Sequence, residues 1–141
     1  MRCFGVGYQG RSVAALCDVL VGEGVDLLID VRERAWSNRP EFRKTALASS
    51  LAAAGIQYIH VRQAGNPFRP RLGEAIDPAE CLKRYRGYLQ SMPSVTEDLK
   101  VLIGSRRVAL LCYEAKSADC HRGVLLSVLK RESPQLMVTH L

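Results

Sequence analysis

Short, almost uninterrupted apolar runs recur along this chain, each separated from the next by a stretch of helical periodicity, and no other feature limits its folding so sharply. The plainest run is Val108-Ala109-Leu110-Leu111-Cys112-Tyr113; Val25 to Val31 is apolar apart from its acidic residues, and residues 3–8 and 56–61 read as strands too. A strand with one wet face alternates apolar and polar side chains, whereas a strand covered on both faces is apolar throughout, as in parallel sheets. Between the runs, Val13, Leu16, Cys17, Leu20 and Val21 repeat at helical spacing until Gly22 and Gly24. Further helices are expected at about 41–54, 78–92, 94–103 and 120–131, the last with Asp119 as its N-cap, and residues 136–141 make a final strand. The expected fold class is therefore α/β: one domain over residues 1–141, three layers, a mostly parallel five-stranded sheet with helices on both faces.

With 141 residues, 48% of them hydrophobic and 24% charged, the chain can bury one core but not two, and disordered or fibrous classes are excluded. No apolar run approaches the roughly 20 residues of a membrane span. The opening Met1-Arg2-Cys3-Phe4-Gly5 lacks the apolar region of a signal peptide, so a cytoplasmic protein with no membrane partner is expected. Five cysteines (Cys3, Cys17, Cys81, Cys112, Cys120) are an odd number without a repeated spacing, which argues against a disulfide framework and for mostly reduced thiols.

The net charge is +6, and its placement says more than its size. Residues 32–44 carry +3 and residues 62–71 another +3, so these two stretches account for the whole excess. A localised positive surface facing an anion is expected, although solvated loops could carry the same arginines.

In open α/β sheets, ligands bind beyond the carboxyl ends of the strands. That edge collects Gly7 and Arg11 after the first strand, and Asp30, Arg32, Arg34 and Arg39 after the second. Arg62 and Arg69 follow the third, and Cys112, Glu114, Cys120, His121 and Arg122 the fourth. Cys120, His121 and Arg122 fall in a first helical turn, where free N–H groups and the helix dipole favour an anion or a thiolate. Glu114 suits a general base or a carboxylate that orients Arg122 or His121; equally, Glu114 and Arg122 suit a buried ion pair, with both cysteines as small core residues. Asp30 suits either the positioning of a substrate hydroxyl or an ion pair with Arg32. The catalytic candidates are thus Asp30, Cys112, Glu114, Cys120 and His121. The anion-binding candidates are Gly7, Arg11, Arg32, Arg34, Arg39, Arg62, Arg69 and Arg122.

Cys112, Glu114, Cys120 and His121 are metal-ligand types, but seven residues lie between the cysteines instead of the short zinc spacing, and no metal or cofactor is assigned. Gly5-Val6-Gly7-Tyr8-Gln9-Gly10 literally fits the dinucleotide fingerprint, with Asp30 where a ribose-binding acid would stand. Its context is deficient, since only four residues precede the first glycine and the chain has no room for a second domain. The expectation is an enzyme acting on a phosphate-bearing substrate, a nucleotide or nucleic acid, in a strand-end cleft. The competing class is a non-catalytic nucleic-acid or protein-binding module that uses the same arginines.

GYQGRS, LLIDVRERAWSNRPEF, AGIQYIHV, AGNPFRP, the pair LLCYE and DCHRGVLL, and the closing VTHL together resemble the uncharacterised prokaryotic family catalogued as domain of unknown function 488. The resemblance covers almost the whole chain and implies a site at Gly7, Asp30, Arg32, Cys112, Glu114, Cys120, His121 and Arg122. It departs from the family pattern at Tyr8 and Gln9. A second likeness is to rhodanese-type sulfurtransferases: LLIDVRE looks like their Asp-Val-Arg strand, and Cys112 closes a later strand as their nucleophile does. The position where those enzymes end their anion-cradling loop in arginine is here Ala118.

Overall fold

The apolar runs do form strands, and all of them run parallel. In the computed structural model, which describes residues 1–70 and 73–141, five strands form one sheet: β1 (Arg2–Gly7), β2 (Leu27–Asp30), β3 (Gln57–His60), β4 (Val108–Cys112) and β5 (Met137–His140). Their spatial order is β3-β2-β4-β1-β5, each pair parallel. The α-helices among the described residues are α1 (Val13–Gly22), α2 (Lys44–Ala53), α3 (Pro78–Ser91), α4 (Pro93–Ser105) and α5 (His121–Glu132).

Side chains alternate across a strand, so each strand serves two cores. Leu28 of β2 and Leu111 of β4 join Leu16 and Leu20 of α1 and Leu47 and Leu51 of α2 on one face. Ile29, Leu110 and Cys112 join Tyr85 of α3, Leu99 of α4 and Leu125 of α5 on the other. Continuous apolar strands are what this double burial requires. β1 supplies Phe4 and Val6 to the first core, but toward the second it presents Gly5 and Gly7. A Cβ on Gly5 would lie 2.7 Å from Leu126 Cδ1 and 3.3 Å from Arg122 Cδ, so the bare backbone is what lets α5 lie directly on β1.

Several local expectations need correction. The helix expected over 41–54 is a 3₁₀ turn at Pro40–Phe42 followed by α2, with Arg43 extended between them. The Phe42 carbonyl accepts Arg32 Nη1 at 2.9 Å, a tertiary bond that replaces a helical one. Asp119 is not the cap of α5. It ends a 3₁₀ turn, while Cys120 adopts the extended cap conformation and its Sγ accepts from Arg122 N at 3.4 Å. The loop expected over 62–76 opens with a 3₁₀ turn at Arg62–Ala64; Arg71, counted with its basic stretch, lies outside the described residues. Most of the cysteines, Cys3, Cys17 and Cys81, are free thiols as expected, but Cys112 and Cys120 are joined as a disulfide. Among the described residues, no helix is long and apolar enough to cross a membrane.

Candidate functional site

The chain leaves β1 toward α1 on one face of the sheet and leaves β4 toward α5 on the other. The tips of these neighbouring strands therefore part, as at the switch points where α/β sheets place ligands. The residues expected to share one hollow at this edge are divided by the same alternation that builds the two cores.

Asp30 points with Leu28 toward α1 and α2, and it is fully buried. Its carboxylate accepts from Arg32 Nη2 at 2.6 Å, from Arg32 Nε at 2.9 and 3.1 Å, and from the Tyr58 hydroxyl at 2.5 Å. The Arg32 guanidinium completes itself on the Phe42 carbonyl and the Tyr8 hydroxyl. Burial alone would lower the Arg32 pKa, but the bonds and charge of Asp30 outweigh it and hold the guanidinium more firmly protonated than usual. Burial, then the Asp30 charge, pushes Tyr58 up. His60 Nε2 lies 2.7 Å from the Arg32 carbonyl. The acid expected to hold a ribose or a substrate hydroxyl thus already has partners within the fold.

Cys112, Cys120, His121 and Arg122 gather on the opposite face, with Glu114 beside them. Arg122 is fully buried; its Nη1 donates to the carbonyl of Glu114 at 3.1 Å and lies 3.4 Å from Cys112 Sγ, while Nη2 reaches the Ala115 carbonyl at 3.4 Å. The expected Glu114–Arg122 ion pair is therefore a bond to the Glu114 main chain. The Glu114 carboxylate instead takes Arg69 Nη2 at 3.5 Å, with its other oxygen 3.5 Å from Cys112 Sγ. A Cβ on Gly7 would lie 1.8 Å from the Glu114 carbonyl oxygen and 2.9 Å from Arg122 Nη1. The amides of Tyr8 and Gln9 are spent on the carbonyls of Cys112 and Tyr113. Gly5 and Gly7 hence accommodate α5, the Glu114 main chain and Arg122, and their bare backbones serve packing within the fold.

A cavity of about 560 Å³ opens here. Glu114, Arg69, His121, Asp119 and Asn66 give it polar wall, and Ile76, Pro70, Pro78 and Leu82 give it apolar wall. Among the expected anion-binding arginines, Arg69 lines it; burial lowers the Arg122 pKa, the Glu114 charge opposes that lowering, and Arg11 lies near enough for its charge to add to it. Arg39 is bound to the carbonyls of Arg11 and Tyr8, Arg62 stands beside Glu33 at 4.0 Å, and Arg34 is exposed. Sequence reasoning missed Asn66, Asp119 and the apolar wall, and on the other face Tyr58. Tyr58 had a readable signal: it stands on the strand next to β2, two residues before the register partner of Asp30.

The Sγ atoms of Cys112 and Cys120 and a ring nitrogen of His121 lie within 4.8 Å of one another. This donor set suits a soft metal only when both sulfurs are free thiolates, and here they are bonded to each other. His121 Nε2 stands 2.7 Å from the Val31 carbonyl, a bond that requires the proton on Nε2 and leaves a lone pair on Nδ1, 3.7 Å from Cys120 Sγ. Burial lowers the His121 pKa to about 4, and the charges of Arg69 and Arg122 act in the same direction against the bond to Val31. A base whose folded pKa lies below its unfolded value of about 6.5 stabilises the fold fully above that value and loses the contribution as pH falls toward the folded pKa. Urea denaturation should therefore show a loss of about 2 kcal/mol between pH 7 and pH 5 that disappears in His121→Gln; a slope unchanged by the substitution would assign the pH dependence to other groups.

The sequence profile of a family described as Domain of unknown function DUF488 matches residues 12–129. No curated protein and no solved structure matches the chain.

Proposed function

The chain belongs to the DUF488 family, and for this member we propose an enzyme that acts on a phosphate-bearing substrate of nucleotide size, bound in the cavity between Arg69 and Pro70 and the start of α5. The observation that carries this reading is the Arg69–Glu114 pair on the wall of a cavity whose other surfaces are largely apolar. Arg69 supplies a phosphate contact, reinforced by the positive field of Arg11 and Arg122, and the walls at Ile76, Pro70 and Leu82 suit a base and sugar. Glu114 is partly withdrawn from water, its side chain 23% exposed, and 3.5 Å from Arg69, so a phosphate held by that arginine would lie beside its carboxylate. Acid–base work falls to this carboxylate. Asp30 and Arg32, tied to each other on the far face, position β2 and the loop after it.

The test is a panel of nucleoside mono-, di- and triphosphates offered to the wild-type chain. Glu114→Gln should leave affinity nearly intact while cutting turnover by about 10²–10⁴. Arg69→Ala should weaken binding and reduce its dependence on salt. Turnover unchanged in Glu114→Gln, or affinity indifferent to both salt and Arg69, would overturn the proposal. Binding without any turnover by the wild type would assign the non-catalytic module instead.

A further inference from the structure

We propose that Cys112 and Cys120 form a thiol–disulfide exchange site for a small, carboxylate-bearing thiol, with Cys120 the sulfur attacked and Cys112 the leaving thiolate. The inference is independent of the nucleotide reading and rests on how the two sulfurs are surrounded. Arg122 is a fully buried cation with no carboxylate oxygen among its described hydrogen-bond partners, and its buried Nε has no partner among the described residues. Such a charge calls for an anion nearby. The Glu114 charge reaches Arg122 through space, but the hydrogen bonds of the guanidinium go to two carbonyls and to Cys112 Sγ, 3.4 Å from Nη1, so release of Cys112 as a thiolate supplies a directly bonded countercharge. Glu114 Oε2 opposes this at 3.5 Å, but its charge is shared with Arg69 and reached by solvent, whereas that of Arg122 is not.

Cys120 caps the twelve-residue helix α5, its Sγ accepting from Arg122 N, and the unprotonated Nδ1 of His121 can accept from its thiol in the reduced state. Both sulfurs belong to buried residues, Cys112 1% and Cys120 2% exposed, but only Cys120 lines a cavity among the described residues. Cys120 lines a second cavity of about 290 Å³, with Arg86, Ser117, Gly123 and His140. Arg86, which also lines this cavity, spends Nη2 on Ser127 Oγ at 3.1 Å and has no hydrogen-bond partner for Nη1 among the described residues, so its guanidinium charge is there for a carboxylate.

In the first step the incoming thiol, its proton lost to solvent, bonds through sulfur to Cys120 Sγ; the Cys112–Cys120 bond breaks and its electron pair stays on Cys112 Sγ. A second thiolate attacks the sulfur of the first thiol in this mixed disulfide, releasing a small-molecule disulfide and the Cys120 thiolate. Two thiols are oxidised and one protein disulfide is reduced, and the small-molecule disulfide reverses both steps.

The test equilibrates the full chain in buffers of varied reduced to oxidised glutathione ratio, quenches with acid, alkylates, and follows the tryptic peptides 108–116 and 117–122 by mass spectrometry. The two peptides should interconvert reversibly between linked and separately alkylated forms in the folded protein. Reduction by glutathione should run about tenfold faster than by cysteamine, which has no carboxylate. Cys112→Ser should trap glutathione on Cys120. Peptides that never link, a link that yields only after denaturation, equal rates with the two thiols, or no capture at Cys120 would each overturn the proposal. Because no nucleotide enters the experiment, its outcome leaves the reading of Glu114 untouched.

Discussion

Replacing Asp30 with alanine should cost about 3–5 kcal/mol of folding stability, the range expected when one partner of a buried ion pair is removed. The carboxylate accepts every bond that Arg32 Nε and Nη2 make, together with the Arg32 amide at 3.1 Å and the Tyr58 hydroxyl. With Asp30 gone, a guanidinium 3% exposed keeps only Tyr8 and two carbonyls, on Nη1. The cost is therefore chiefly that of an uncompensated buried charge and only secondarily that of lost packing. Asp30→Leu combined with Arg32→Met should consequently be less damaging than the sum of the single changes, because no charge is left behind. Urea denaturation of the three variants decides the matter. An Asp30→Ala protein within about 1 kcal/mol of the wild type would show that the pair does not hold β2 to its neighbours, and would return Asp30 to the catalytic candidates.

Gly7→Ala should be as damaging, for a steric reason. The added Cβ would stand 1.8 Å from the Glu114 carbonyl oxygen and 2.5 Å from its carbon, main-chain atoms that no rotamer change can move. Relief would require β1 and β4 to separate where Gly7 pairs with Cys112 and where Gln9 N donates to Tyr113 O at 2.8 Å. A cost of about 3 kcal/mol or more is expected, at the upper end of what overpacking usually exacts. The same displacement would loosen Arg122 from the Glu114 carbonyl and move the carboxylate away from Arg69. Any Glu114-dependent turnover should fall with stability. Gly10→Ala is the contrast: nothing lies within 4 Å of its Cβ position, so it meets only the penalty of a left-handed backbone at φ 75°. Equal melting temperatures for wild type and Gly7→Ala would mean that β1 and β4 do not approach as described.

The candidate site was legible in kind but not in arrangement. Cys112, Glu114, Cys120, His121 and Arg122 are near in sequence, and any parallel strand followed by its crossover helix brings the strand end to the helix start. This half of the site needed only the periodicity of two neighbouring segments. Asp30 and Arg32 also stand at the carboxyl edge, but nothing local reveals which face a side chain takes in a strand apolar on both sides. Arg69 belongs to a loop with no periodicity, and its approach to Glu114 spans forty-five positions of sequence.

Local residue pattern yields the list of parts: the strands, because double burial demands continuous apolar runs, the helices, because their spacing is a local property, and the edge at which polar residues collect. Which of these parts meet depends on packing. Strand order put β4 between β1 and β2, the twofold alternation of side chains then turned Asp30 toward α1 and α2 and Cys112 toward α5, and two glycines on β1 left the space that Arg122 fills. Partners of this kind depend on distances across the sheet, which a linear pattern does not encode.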